Sequence, residues 1–477
     1  MKKGKIYILY FFVFSIAILM TSASVRAQEI YKLTFNDIQK AKAFYDDPRP
    51  IYQELNYKKV LPPEVYNKLV FDQEKMKEAW AEVVGFKAPD VVGKVAPEIK
   101  PGTYTHADKE KYPFKELMFP ALYKRFAPGA PPHIGNFSEI KVVPTRQYYW
   151  ALPIAEATKK NMGQTKLNDQ GYLIYDSYVA GIPFPKPEGN FKPQQIMYNW
   201  EKRYLNGENY YYFIEDRGFT KDFREDFESL MEMKSLKFEG RVLMEPKGWF
   251  DERAKKSKEG RANINVAYSP RDLFGNAVFS LTYLDPNKSD LFMIYLNAMR
   301  RVRKLSATDT QDPMGGQDLI YEDGDGFFQK LSATRYPYKY ELIAEEEYLV
   351  PSYTLDGSGY LSSKGKELKN FEFERRPVYV VKLTQLDRNF VYGYRVLYFD
   401  KETFILLFTE NYDQKGRLYR TTDLHYLFTP EMGMFTLANM LCKDHIDLHS
   451  MYWKGFNVPA PMIGRDDLNI GSMVKGK

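Results

Sequence analysis

The spacing of the apolar residues changes after residue 236, from every third or fourth position to every second position. About eleven strand-like segments follow, separated by turn clusters such as residues 285–287 and 413–416. Short strands with regular turns and no helices between them predict an antiparallel meander, here over residues 236–430. Because so wide a sheet curls, we predict a β-dominated α+β fold on a large curved antiparallel sheet, an incomplete barrel.

Several of these segments are apolar at every position, as residues 404–408 (FILLF) illustrate. A strand of an antiparallel sheet that is apolar on both faces is covered on both faces. We therefore expect the concave face of the sheet to be filled by helices, by a lid or by an apolar ligand. Residues 430–441 are predicted to supply one closing helix, and the remaining tail is predicted to be a loop.

The residues before the meander have the pattern of helices and loops. Apolar residues recur at helical spacing between residues 28 and 86, prolines and glycines are frequent up to residue 153, and residues 220–234 are again predicted to be helical. The predicted parts are a signal peptide at 1–27, a helical and Pro/Gly-rich region wrapping the sheet at 28–143, loops and helices at 144–235, the part-barrel meander at 236–430, and a C-terminal helix and tail at 431–477.

The first residues have the pattern of a secretory signal peptide. Lys2, Lys3 and Lys5 precede an apolar run at residues 6–20, and small residues at 25–27 suit cleavage by a signal peptidase. The apolar run is short for a membrane span, although an uncleaved anchor is the alternative. No cysteine lies near the cleavage point. We therefore expect an exported, soluble periplasmic protein that is not lipidated.

Charge and cysteine content exclude two classes of protein. The chain carries 68 Lys and Arg against 62 Asp and Glu, and removal of the basic signal peptide would leave it nearly neutral. A nearly neutral chain gives no reason to expect nucleic acid as a partner. The single cysteine, Cys442, cannot form an internal disulfide, so the exported chain must rely on its apolar core.

Two strings of sequence carry a family resemblance. Residues 178–189 (YVAGIPFPKPEG) and 196–204 (IMYNWEKRY), preceded by residues 157–173, resemble the bacterial domain of unknown function 1329 family. Residues 291–328 and 397–420 are similar to strand segments in the second half of that family. The resemblance covers about residues 144–428, and the chain before it departs from the family pattern.

The resemblance implies a carrier. The family is regarded as related to periplasmic and outer-membrane carriers of lipoproteins, which fold as incomplete antiparallel barrels with helices on the concave side and hold acyl chains inside. Its members resemble partners of resistance-nodulation-type inner-membrane exporters. No catalytic residues are established for the family. The resemblance thus implies a non-enzymatic periplasmic carrier of a lipid or other hydrophobic ligand, without a cofactor, which serves an inner-membrane exporter and the outer membrane.

Candidate ligand contacts follow from this interpretation. An alkyl chain gains about 0.8 kcal/mol for each methylene that leaves water, so a carrier needs an apolar cavity lined by strand residues. Alternation alone does not tell which face of each strand is concave. The candidate lining residues are Phe279, Leu281, Phe292, Ile294, Val396, Tyr398, Leu406 and Phe408.

A basic cluster follows the strand that contains Phe292 and Ile294. Its guanidinium groups could bind lipid phosphates or an acidic partner, because they match phosphate in a bidentate way. The alternative is that they pair with Glu322, Asp323 and Asp325 on a neighbouring hairpin arm. The basic residues are Arg300, Arg301, Arg303 and Lys304.

One cluster near the C-terminus resembles a metal site. His445 and His449 would share a face of the predicted helix, with Cys442 and Asp444 nearby. The spacing lacks the glutamate of an HExxH motif. A metal-dependent hydrolase is therefore kept as the alternative function, beside a cell-envelope assembly or docking protein without cargo.

Overall fold

The computed structural model describes residues 56–305, 311, 313, 318–351 and 353–471. The expected signal peptide at 1–27 lies outside the described residues. The helices are α1 Tyr57–Val60, α2 Pro63–Leu69, α3 Gln73–Val84, α4 Ala88–Val91, α5 Phe114–Leu117, α6 Pro120–Arg125, α7 Leu152–Asn161, α8 Lys192–Glu201 and α9 Glu252–Ser257. Within the described ranges, none of these helices is long and apolar enough to span a membrane.

The strands account for most of the regular structure. They are β1 Gly102–Thr105, β2 Glu139–Val142, β3 Asn209–Phe219, β4 Glu225–Lys237, β5 Glu259–Ser269, β6 Ala277–Tyr283, β7 Leu291–Leu296, β8 Arg301–Lys304, β9 Tyr338–Val350, β10 Tyr353–Thr354, β11 Tyr360–Leu361, β12 Leu368–Lys369, β13 Glu372–Gln385, β14 Tyr394–Asp400, β15 Leu406–Tyr412, β16 Leu418–Thr429, β17 Met434–Asp444 and β18 Ser450–Pro459.

One sheet organises the molecule. In the described residues sixteen strands join in the order β1-β2-β13-β14-β15-β16-β17-β18-β3-β4-β5-β6-β7-β8, with β9 beside β13 and β10 beside β16. The strands pair in antiparallel fashion except β2 with β13 and β10 with β16. Because β1 and β8 end the sheet without pairing to each other, it is not closed into a barrel. The predicted β-dominated α+β fold is confirmed.

Strand β4 corrects the helix predicted at residues 220–234. Phe227 and Met231 are four residues apart, a spacing that fits one face of a helix and also one face of a strand. The intervening Ser229 and the following Met233 complete a period of two, and all four residues line the same cavity. The segment pairs with β3 and β5 along its length, so sheet pairing decides its structure.

Strands β17 and β18 correct the helix predicted at residues 430–441 and the loop predicted after it. Every residue of both strands is buried. A continuous apolar run without alternation does not distinguish a buried strand from a buried helix. The sheet therefore continues past residue 430, and β18 joins it to β3, far back along the chain.

The strands that are apolar on both faces are covered on both faces. Phe119, which precedes α6, stacks on Tyr398 and Phe408 with ring centres 4.5 and 4.7 Å apart. On the other face, the Trp200 ring of α8 lies 6.2 Å from Phe399. The region around β14 and β15 is thus the interior of a core that is closed by the protein's own side chains.

The N-terminal region packs directly against this part of the sheet. The Trp80 indole N–H on α3 donates a 2.8 Å hydrogen bond to the backbone carbonyl of Glu402. The Glu402 carboxylate accepts hydrogen bonds from the backbone of Ala88 and Tyr148. Trp80 is fully buried in the same apolar core as the strands, so helices and sheet share one core.

Candidate functional site

An apolar groove lies on one face of strands β17, β18 and β3–β7. It encloses about 290 Å³, close to the lower end of the roughly 300–1,000 Å³ that is typical of small-molecule sites. Val278 on β6 and Ile294 on β7 are direct partners in the sheet, and both line the groove. Directly paired residues project to the same face, so alternate residues of neighbouring strands build one wall, which is mainly apolar and includes Asn263 and Asn265 on β5.

Methionines form an unusual share of this wall. Met231 and Met233 lie on β4, and Met440 and Met451 lie on β17 and β18. Methionine side chains are unbranched and polarizable, and they adapt to ligands of different shape. The wall is therefore suited to an apolar ligand that is recognised by its hydrophobicity rather than by one fixed outline.

Residues 318–328, called here the crossing segment, close one side of the groove. Tyr321 packs edge-on against Phe292 with ring centres 4.5 Å apart and against Phe328 at 5.7 Å. The hairpin arm predicted to carry Glu322, Asp323 and Asp325 is wrong, because residues Tyr321–Gly326 form 3₁₀ turns with a kink at Gly324 and Asp325. The crossing segment thus contributes aromatic side chains to the groove.

Acidic side chains hold the crossing segment on the sheet. Asp323 lies 3.1 Å from the guanidinium of Arg395, and both side chains are fully buried. Asp325 forms a 2.7 Å ion pair with Arg203. Glu322 is buried and accepts hydrogen bonds from two neighbouring side chains. Because all three acids have other partners, the predicted alternative that they neutralise the basic cluster after β7 is wrong.

The basic cluster instead forms the exposed outer edge of the sheet. Arg303 of β8 is the direct partner of Ile294, and Arg301 is the direct partner of Leu296, so both arginines share the groove face of β7. Arg300 lies in the turn before β8, and Lys304 ends the strand. None of the four forms an ion pair with any residue of the described ranges, and all four are exposed.

Two of the predicted lining residues lie at the groove and two lie behind it. Ile294 lines the groove, and Phe292 lies at its edge, in an adjoining cavity that Tyr321 also lines. Phe279 and Leu281 face the opposite side of the sheet, where they pack with Leu468. The reason is register: Phe279 pairs with Met293, so odd positions of β6 share a face with odd positions of β7.

The other four predicted lining residues belong to the core. Val396, Tyr398, Leu406 and Phe408 are buried and do not line the groove. Phe119 occupies the face where Tyr398 and Phe408 were expected to meet a ligand. A covering segment from a distant part of the chain leaves no trace in the pattern of the strand itself.

Sequence reasoning missed the methionine wall of β4. The signal was present as Phe227, Ser229, Met231 and Met233 at every second position. It was hidden because the same segment also satisfies a helical spacing. The methionines of β17 and β18 were missed for the related reason that these strands were predicted to be a helix and a loop.

The two histidines proposed as metal ligands do not share a helix face. His445 lies after β17, and its Nε2 is 2.9 Å from the hydroxyl of Thr421. His449 lies between Asp318, 2.5 Å from Nδ1, and Asp226, 3.0 Å from Nε2. These carboxylates contact opposite sides of the ring and do not converge on one point. In the described residues no group of three His, Cys, Asp or Glu is arranged to hold a metal ion.

The position of His449 predicts a pH-dependent stability. Hydrogen bonds from its ring to Asp318 and Asp226 raise the pKa of His449 to about 9. A raised pKa means that the stabilisation is complete below pH 6.5 and is lost as the pH rises through 9. We expect the wild type to melt at a higher temperature than His449→Gln at pH 6.5, and we expect this difference in melting temperature to decrease as the pH rises to 9.5. His133→Gln, at an exposed histidine, is the control, and parallel profiles for wild type and His449→Gln would contradict the prediction.

Comparison with known proteins gives one family and a set of distant structures. The family model "Protein of unknown function (DUF1329)" matches residues 125–465. A putative outer membrane lipoprotein-sorting protein domain from Vibrio parahaemolyticus is 18% identical, with a TM-score of 0.40, and the alignment covers 56% of this chain and 92% of that chain.

Two further solved structures are similar to part of the chain. A DUF1329 family protein from Desulfovibrio piger is 16% identical, with a TM-score of 0.40 and coverage of 56% of this chain and 91% of that chain. A LolA superfamily protein from Nitrosomonas europaea is 14% identical, with a TM-score of 0.34 and coverage of 55% and 91%. No curated protein matches the chain.

Proposed function

This chain belongs to the DUF1329 family of proteins of unknown function, and we propose that it is a carrier or binding protein that holds a lipid or another hydrophobic molecule in the apolar groove. The observation that carries the proposal is the groove itself, in which apolar side chains of seven strands and the crossing segment surround an open space. Water in such a space is displaced favourably by an alkyl chain, at roughly 0.8 kcal/mol for each buried methylene.

The basic edge strand supports a role at a charged surface. Arg301 and Arg303 lie beside the groove on its own face, exposed and without ion pairs in the described ranges. Guanidinium groups bind phosphate and carboxylate groups well, so the strand is suited to contact lipid head groups or an acidic protein while cargo is transferred. In the proposed role the protein works in the periplasm and serves a resistance-nodulation-type inner-membrane exporter and the outer membrane.

A change that fills the groove tests the proposal. We expect Ile294→Trp to weaken binding of a hydrophobic fluorescent probe by at least tenfold, because the indole would occupy the space between β6, β7 and the crossing segment. Titration of the probe into purified protein measures the affinity. The matched control is Ile343→Trp, since Ile343 lies on β9 and is 52% exposed.

The results of this titration distinguish a carrier from an envelope docking protein without cargo. Unchanged probe binding in Ile294→Trp, or equal loss in both variants, would contradict cargo binding in the groove. Failure of the wild type to bind the probe saturably would favour an envelope docking protein without cargo.

A further inference from the structure

A second, polar cavity adjoins the apolar groove. This polar chamber encloses about 130 Å³, and it shares Tyr210, Asp325 and Phe328 with the walls of the groove. Met233 of β4 lines the groove, and Lys237 of the same strand lines the chamber. The four residue steps from Met233 to Lys237 span roughly 13 Å along the strand, about the length of a short alkyl chain.

Three basic side chains of the chamber already have acidic partners. Their ion pairs involve all four carboxylate side chains that line the chamber. The partners are Lys202 with Glu201 and Glu239 at 3.3 and 2.8 Å, Arg203 with Asp325 at 2.7 Å, and Lys330 with Asp290 at 2.7 Å. The chamber therefore has no carboxylate left for its two remaining basic residues.

Those two residues, Lys237 and Arg261, face each other across strands β4 and β5. They are direct partners in the sheet, so their side chains project to the same face. Lys237 is only 5% exposed, and neither residue forms an ion pair within the described ranges. Arg261 donates from Nη1 to the hydroxyl of Ser235 at 2.6 Å, and the Lys237 ammonium lies 4.6 Å from the centre of the Tyr204 ring.

Two buried positive charges in this arrangement are unfavourable, and an anion between them would stabilise the charged form of both side chains. Like charges directly opposite in a sheet are destabilising, and a buried charge without a counterion costs more than an exposed one. The arrangement resembles oxyanion sites, in which a guanidinium fork and an ammonium converge on the oxygens of one ligand group. Because the chamber and the groove share Tyr210, Asp325 and Phe328 in their walls, this cationic pair lies next to one end of the apolar groove.

We infer that the ligand is an anionic amphiphile whose apolar chain lies in the groove and whose phosphate or carboxylate group enters the polar chamber between Lys237 and Arg261. The inference rests on the proposed function and narrows the cargo from any hydrophobic molecule to one with an oxyanion at the end of its chain. The exposed arginines of β8 then contact surfaces during transfer rather than the head group of the bound molecule.

The first test compares ligands that differ only in the head group. Calorimetric titration of the wild-type chain with dodecyl phosphate, dodecanoate and dodecanol is expected to give roughly 10- to 100-fold tighter binding of at least one anion than of dodecanol, as charge-assisted hydrogen bonds provide. The tighter of the two anions identifies the head group. Equal affinity for all three ligands would overturn the inference while leaving the proposed function intact, whereas no binding of any of them would count against the proposed function.

The second test removes the two charges. Lys237→Met combined with Arg261→Met is expected to abolish the preference for the anion and to leave the affinity for dodecanol unchanged. Arg301→Gln combined with Arg303→Gln removes the same charge outside the chamber, and it is expected to keep the preference. Inorganic phosphate alone is expected not to compete at millimolar concentration. Competition by inorganic phosphate would show that the chamber binds free phosphate, and it would contradict the inference that the ligand is an amphiphile.

A third measurement uses the wild type alone and remains informative if the double variant does not fold. The pKa of Lys237 is lowered to about 7, mainly by burial. Arg261 and Lys202 contribute to this lowering, and Glu239 and Glu208 oppose it. Dodecanoate stays ionised from pH 6 to 8.5, so its affinity is expected to fall over this range as Lys237 loses its proton. A flat profile for dodecanoate would contradict the role of Lys237.

Discussion

Replacement of Asp323 by alanine is expected to lower the free energy of unfolding by about 3–5 kcal/mol, the usual cost of removing one partner of a buried ion pair. Asp323 and Arg395 are both fully buried, with 3.1 Å between Oδ1 and Nη1. No nitrogen of the Arg395 guanidinium has a hydrogen-bond partner in the described residues. The variant would therefore leave a buried cation whose nearest counterion is gone.

Urea denaturation of wild type and variant measures this loss. Asp325→Ala is the matched control in the same segment, because its ion pair with Arg203 is partly exposed and is expected to contribute about 1 kcal/mol or less. Adding Arg395→Met to Asp323→Leu is expected to recover part of the stability, since an apolar pair needs no counterion but the buried Tyr392 hydroxyl loses its acceptor on Asp323. A loss below about 1 kcal/mol for Asp323→Ala would show that Arg395 is neutralised in another way.

Replacement of Trp80 by alanine is expected to cost about 3–5 kcal/mol, the range for a buried aromatic residue reduced to alanine. Trp80 is fully buried in the core that α3 shares with the sheet, and its indole N–H donates to the Glu402 carbonyl. Because the N-terminal helices and the sheet form one core, we propose that they unfold together. The expected result is one cooperative transition at a lower denaturant midpoint.

Circular dichroism and intrinsic fluorescence followed in the same denaturation experiment test this proposal. Tyr112→Ala serves as the control, because Tyr112 is 38% exposed and is expected to change the midpoint little. A separate early transition, in which helical signal is lost while the sheet persists, would contradict a shared folding unit. The N-terminal region would then be a module that only rests on the sheet.

The general architecture followed from the sequence because alternation and turn residues are local signals. Residues 277–283 alternate between apolar and polar positions, whereas residues 291–296 and 394–400 are short apolar-rich runs bounded by turns, and the structure has β6, β7 and β14 there. Strands β17 and β18 could not be predicted in this way, since burial on both faces removes the alternation. Strand β4 was missed because its apolar spacing satisfied two periods at once.

The candidate site was predicted less completely than the fold, because a groove is a property of several strands together. Ile294 was found, but Phe279 on the neighbouring strand faces the opposite side of the sheet, a fact that depends on register. Tyr398 does not line the site, because Phe119, which is distant in the sequence, stacks on its ring. The basic cluster of β8 is visible in the sequence. Only the structure shows that Asp323 and Asp325 pair with other residues and not with this cluster.

Native mass spectrometry of the gently purified chain tests the central claim most directly. Binding of a hydrophobic molecule in the groove predicts a lipid-sized adduct on the wild type that is reduced in Ile294→Trp and retained in Ile343→Trp. The adduct is expected to carry a phosphate or carboxylate group if the polar chamber binds its head. Absence of any adduct from the wild type, together with a hydrophobic probe that fails to bind saturably, would contradict the carrier role.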